Sequence, residues 1–156
     1  MAELLYQIVP SDLFTFKKEG SFEEQAQHLI DQCHPGATNM KILKLSGELA
    51  EADIPFAQSN RALHGLLHGG AYFTVGDTLT AIMCFFFVEK EGDITLTMDA
   101  SIRYLRPIQR ETVRARARLT SRKGNQLSFV CDFFNDANKR AAQAKYRYII
   151  ASPAAT

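Results

Sequence analysis

Apolar residues recur at helical spacing in the first half of the chain and at a period of two in the second. In Ser21 to Cys33 the apolar positions Phe22, Ala26, Leu29, Ile30 and Cys33 share one helical face. Ser21 with Glu24 three residues on is a capping box, and His34-Pro35-Gly36 stops the helix. This is the one clear helix of the N-terminal segment. Met40 to Leu49 mixes alternation with a break at Leu43 and predicts a first strand. Ala50 to Arg61 reads as a polar loop. Gly69-Gly70 then opens a helix of about four to five turns ending near Val88. Ala71, Tyr72, Val75, Thr78, Leu79, Ile82, Met83 and Phe86 make its broad face, and Phe73, Ala81, Cys84, Phe85 and Phe87 fill most of the remainder. A helix apolar nearly all round is buried on most sides.

Beyond Glu91-Gly92 the period becomes two. Ile94, Leu96, Met98, Ala100, Ile102 and Tyr104 alternate with Thr95, Thr97, Asp99, Ser101 and Arg103. Val113 to Leu119, Leu127 to Phe133 and Ala142 to Ile150 alternate in the same way, separated by turn residues. Short turns between successive strands predict an antiparallel meander with one covered face and one wet face. The expected fold class is α+β: a curved antiparallel sheet wrapped round one long apolar helix, with an extra helix before it.

The chain has 156 residues, 46% of them hydrophobic and 22% charged, which suits a single domain with a sizeable core. A net charge of +1 gives no global field for nucleic acid or membrane. Between Arg110 and Lys123 the arginines alternate with apolar residues, as on the wet side of a strand. The three cysteines, Cys33, Cys84 and Cys131, are odd in number and form no CxxC, so reduced thiols and a cytoplasmic location are expected. Residues 1–10 lack the basic start and apolar core of a signal peptide, and the longest apolar run is far short of a membrane span.

One aspartate, Asp77, interrupts the apolar helix. The glycines at that helix's start present backbone N–H groups that a substrate oxygen can approach closely, which is the physics of an oxyanion hole. A carboxylate nearby can serve as general base or nucleophile toward an acyl group. Asp77 lies seven residues past Gly70, roughly 10 Å along the axis. A second, antiparallel copy of the helix would bring one Asp77 beside the other's glycines. The plainer alternative is that Asp77 bonds only to backbone or a tyrosine, and that Gly69-Gly70 is only a tight turn. His64 and His68 lack the companions that a metal site of three or four ligands needs, so no metal is expected. No GxSxG elbow and no P-loop is present.

The ordered set Asn60, then Gly65-Leu66-Leu67-His68-Gly69-Gly70, then Asp77-Thr78 resembles the hotdog-fold acyl-CoA thioesterases. Within them it is most similar to the branch containing the phenylacetyl-CoA thioesterases. The stretch "TLTMDASIRYLRP" resembles that family's next strand, and the likeness covers roughly Met40 to Ser152.

The resemblance implies a hotdog domain over 40–156; residues 1–39, which it does not cover, read from their capped helix as a helical extension, the whole a single domain. It implies hydrolysis of an acyl-CoA to a carboxylic acid and free CoA, with no cofactor beyond the CoA of the substrate. Asp77 would be the general base or nucleophile and the Gly69 N–H the oxyanion donor. Thr97 and Asn60 would orient water or substrate, and His68 would hold the glycine turn. Gly70 and Thr78 would line the substrate site. By charge and position alone, Arg103, Arg106, Arg122 and Lys123 are candidates to meet the CoA phosphates, the alternative being a plain solvated surface. The partner would be a second copy, in a homodimer or a dimer of dimers that shares the site. A hotdog dehydratase would need a histidine acid/base in another glycine-proline setting. A non-catalytic acyl-CoA-binding or sensing module is the alternative from another class, and it gives Asp77 no role.

Overall fold

The computed structural model describes residues 2–153. Three helices, α1 (Ala2–Ile8), α2 (Phe22–Ile30) and α3 (Gly69–Phe85), accompany six strands. The strands are β1 (Lys41–Leu45), β2 (Leu49–Ile54), β3 (Ile94–Tyr104), β4 (Val113–Lys123), β5 (Gln126–Phe134) and β6 (Arg140–Ala151). They form one antiparallel sheet in the order β1-β2-β4-β5-β6-β3.

The α2 helix starts at the expected capping box, with Ser21 accepting from the Glu24 N–H at 3.1 Å and Glu24 accepting from the Ser21 N–H at 3.0 Å. The N-terminal segment holds a second helix, α1, that the apolar spacing did not single out. α3 is buried through Ala71, Tyr72, Val75, Gly76, Leu79, Thr80, Ile82, Met83 and Cys84, which matches a helix apolar on most sides. Its packing on β6 depends on Gly76: a Cβ there would lie 2.3 Å from the Tyr146 hydroxyl.

Two expectations need correction. The polar stretch after Ala50 is not all loop. Leu49–Ile54 is strand β2, pairing with β1 on one side and β4 on the other. Its polar residues Glu51 and Asp53 form the wet face and pair with Arg116 and Arg114 of β4, while Ala50, Ala52 and Ile54 are buried. Acidic side chains hid its alternation.

The sheet is also not a simple meander. β4, β5 and β6 follow one another, but β3 lies at the far edge beside β6. Its register shifts between Thr97 and Asp99. This bulge changes which residues face α3, because one extra residue reverses the side-chain alternation. Ala100 and Ile102 pack against the core, whereas Ile94, Leu96 and Met98 are 43%, 48% and 45% exposed. β3 is thus an edge strand whose first half carries exposed apolar side chains.

Candidate active site

Asp77 sits two turns into α3, half-buried, with its carboxylate held from the sheet. Thr97 Oγ1 donates to Asp77 Oδ1 at 3.0 Å, and the Tyr148 hydroxyl lies 2.7 Å from both Oδ1 and the Asp77 carbonyl oxygen. Thr97 and Tyr148 are cross-strand neighbours on β3 and β6, so one register position delivers both groups. The Thr80 hydroxyl lies 2.7 Å from that of Tyr148, completing the network. Among the described residues Oδ2 accepts no hydrogen bond, and it is not a buried orphan. One carboxylate oxygen is thus fixed in place and the other is left for a water or a substrate.

Burial, reinforced by the Asp77 charge, pushes the Tyr148 hydroxyl well above the usual phenol range. It stays protonated and serves as a donor. Tyr148 is the functional residue that sequence reasoning missed; the pattern showed it only as one of the inward positions of the last strand. The usable signal is that an inward tyrosine hydroxyl in an apolar face needs a polar partner.

The other half of the constellation lies at the start of α3. His68 is the N-cap, and its Nδ1 accepts from the Gly70 N–H at 2.8 Å. In the neutral imidazole the proton is then on Nε2. The Tyr104 hydroxyl donates to the Gly69 carbonyl at 2.8 Å, and a Cβ on Gly69 would stand 2.9 Å from that hydroxyl. Among the described residues the Gly69 N–H has no acceptor. It is thus an unengaged donor where the helix dipole is positive. Beside it opens a cleft of about 420 Å³ lined by His64, His68, Tyr72, Tyr104 and Arg106 among others.

Within one protomer these two halves do not meet. Gly69 and Asp77 are eight residues apart on a continuous helix, about 12 Å along its axis. Asn60 lies at the glycine end, beside His68 and Gly70. Its buried amide donates to the Thr38 and Pro55 carbonyls at 2.8 and 3.0 Å and accepts from Arg61 Nε at 2.9 Å. Its polar atoms hold the loop before α3, and its backbone carbonyl accepts from the His68 N–H at 2.9 Å. Within one protomer Asn60 supports the glycine turn.

His64 caps its own turn by accepting from the Leu66 N–H. Among the described residues no group of three or more His, Cys, Asp or Glu side chains is placed to hold a metal ion. The Thr78 hydroxyl donates to the Thr74 carbonyl. Arg106 flanks the cleft at Gly69 and donates to the Arg140 carbonyl at 2.6 Å, while Arg103 is exposed on β3. Arg122 lies near the other end of α3, paired with Glu89 at 3.5 Å and stacked over Phe87, with Lys123 next to it at the end of β4. The four basic residues do not form one cluster within a protomer.

The thioesterase superfamily profile matches residues 64–142, and the chain belongs to this superfamily. The matched span holds His68, Gly69, Gly70, Asp77 and Thr97, and leaves Asn60 and the two N-terminal helices outside. Among solved structures, a thioesterase from Haemophilus influenzae superposes with a TM-score of 0.78 at 20% identity, over 90% of this chain and 98% of that one. A mutant thioesterase from Pseudomonas aeruginosa gives 0.78 at 18% identity, over 88% and 99%. A hypothetical thioesterase from Streptococcus pneumoniae, crystallised with coenzyme A, gives 0.66 at 16% identity, over 76% and 91%. No curated protein matches by sequence. The fold is the hotdog fold of these structures.

Proposed function

We propose that this chain hydrolyses an acyl-CoA thioester to a carboxylic acid and free CoA, working as a dimer whose site is shared. The observation that carries the reading is Asp77, with Oδ1 clamped by Tyr148 and Thr97 and Oδ2 free. In this mechanism the thioester carbonyl oxygen lies on the Gly69 N–H of one protomer and Asp77 comes from the other. Asp77 either takes a proton from water as it adds to the carbonyl carbon, or attacks that carbon itself to give a mixed anhydride that water then opens. In both routes the C–S bond breaks, and the CoA thiolate leaves and is protonated. Charge growing on the carbonyl oxygen is met by a donor already aligned with the helix dipole.

The exposed edge of β3, with Ile94, Leu96 and Met98, supports pairing of two copies, since an open apolar strand edge is a template for another strand. Twofold pairing also answers the separation of about 12 Å within one helix. Arg106, close to Gly69, is the first candidate for a CoA phosphate, with Arg103, Arg122 and Lys123 as further ones.

The test is thiol release from a panel of acyl-CoAs by the parent and by Asp77→Asn. The parent is expected to hydrolyse some members, and the variant to lose at least about a hundredfold in kcat while keeping its fold. An unchanged rate in the variant overturns the role of Asp77. Binding without hydrolysis by both proteins would make this an acyl-CoA-binding module.

A further inference from the structure

The N-terminal segment that the superfamily profile leaves out walls a second, apolar cavity beside Asp77. Its volume is about 340 Å³, within the usual range for small-molecule sites. Leu5 and Ile8 of α1, Phe14 of the connecting strap and Leu29 of α2 close it on one side. On the other side α3 contributes Asp77, Thr78, Ala81, Ile82 and Phe85. Asp77 is therefore at one end of the cavity along the helix axis, and Phe85 at the other.

We infer that this cavity takes the acyl chain of the substrate, and that it selects straight medium-length aliphatic chains of roughly eight to twelve carbons. The inference rests on the thioesterase reading for the identity of the reacting group, and on the cavity alone for the chain.

Length follows from the helix. Asp77 to Phe85 spans eight residues, about 12 Å at the α-helical rise. An extended chain advances about 1.2 Å per bond, so roughly ten bonds fit between the carboxylate and Phe85.

Chemistry follows from the lining. Apart from Asp77 its polar side chains are Thr78 and Cys33. The Thr78 hydroxyl is spent on the Thr74 carbonyl, and the Cys33 thiol faces the Leu29 and Ile30 carbonyls at 3.6 Å. A ring hydroxyl or a second carboxylate on the substrate would be desolvated there without a partner, which costs free energy. An alkyl chain gains with each buried methylene, about 0.8 kcal/mol. The reactive head and the apolar pocket come from the same protomer, whereas the oxyanion donor comes from its partner. Chain selection is thus a property of this chain's own N-terminal segment.

The experiment compares the parent, Ala81→Phe and Val9→Trp. Ala81→Phe fills the middle of the cavity from α3, and Val9→Trp narrows it from the strap, in case the first variant folds poorly. Each is checked by circular dichroism. Two readouts run in parallel: kcat/KM on CoA thioesters from acetyl to palmitoyl together with benzoyl and phenylacetyl, and calorimetric binding of the uncleavable thioether S-decyl-CoA.

The expected result is a parent optimum at octanoyl to dodecanoyl. In a folded variant the optimum moves to shorter chains, the decanoyl-to-butanoyl ratio of kcat/KM falls at least about tenfold, and the thioether binds correspondingly less tightly. A parent optimum on the aryl thioesters or on palmitoyl overturns the inference. So does a folded variant that slows every chain length equally, or that binds the thioether as the parent does. If no thioester is cleaved but the thioether binds and the variants weaken it, the pocket assignment stands and the thioesterase reading falls. If thioesters are cleaved without dependence on either variant, the thioesterase reading stands and the pocket assignment falls.

Discussion

Tyr148 and Asp77 are 71 residues apart in sequence, yet the tyrosine hydroxyl lies 2.7 Å from both the carboxylate Oδ1 and the carbonyl oxygen of the aspartate. That contact fixes the rotamer of the one carboxylate on α3 and leaves its second oxygen open. Tyr148→Phe is expected to cost about 1 kcal/mol of stability and to lower kcat roughly tenfold, about 1.4 kcal/mol of barrier, with KM little changed. Urea melts and steady-state kinetics on the best thioester check both parts.

The shared site predicts complementation. Asp77→Asn and Gly69→Ala are each expected to be nearly inactive, the second because its methyl group would press on the Tyr104 hydroxyl at 2.9 Å. After unfolding and refolding together at equal concentration, half of the dimers are mixed and each has one intact site. Recovered activity should be about a quarter of the parent's. No recovery would place both groups of each site in one protomer.

His68 caps α3 through Nδ1, and its predicted work is geometric. His68→Ala should lose about 0.5–2 kcal/mol of stability and part of the rate. His68→Asn, which retains an acceptor near the Gly70 N–H, should restore most of both, with no change in the pH profile of kcat/KM. A profile that loses a limb in both variants would make the imidazole a proton carrier.

Gly76 lets α3 approach β6, and a Cβ at that position would meet the Tyr146 hydroxyl at 2.3 Å and its ring at 2.8 Å. Tyr146 is buried and its hydroxyl donates to the Phe73 carbonyl at 2.9 Å, so it has little room to move. Gly76→Ala should destabilise by about 1–3 kcal/mol or more. Tyr146→Phe in that background should recover part of the loss, because it removes the shorter contact and keeps the longer one. Denaturant melts of the two single variants and the double variant measure the coupling.

Stability should fall in alkali for an identifiable reason. Burial, then the Asp77 charge, raises the Tyr148 hydroxyl above the unfolded phenol value of about 10. The folded state therefore holds a proton that the unfolded state releases. The stabilisation is complete below about pH 10 and declines as pH rises toward the folded pKa. Melting temperatures from pH 8 to 11 should show this decline in the parent, with a shallower slope in Tyr148→Phe.

Much of this protein is local and could be read along the chain. Ser21 and Glu24 cap α2 within one turn, and α3 is apolar on most of its faces, so both helices follow from spacing. The GLLHGG stretch and Asp77 stand on one continuous segment, which makes their order legible without a fold. Strand β2 was obscured because Glu51 and Asp53 read as loop, and only their pairing with Arg116 and Arg114 across the sheet makes them the wet face of a strand.

The site itself needed tertiary structure. A period of two says that residues alternate between faces, but the bulge between Thr97 and Asp99 decides which set faces α3. It turns Leu96 and Met98 outward and brings Thr97 to Asp77. Tyr148 reaches the same carboxylate only because β6 lies between β5 and β3. Strand order and register are set by packing and hydrogen bonding between segments far apart in sequence, and nothing within either segment specifies them alone.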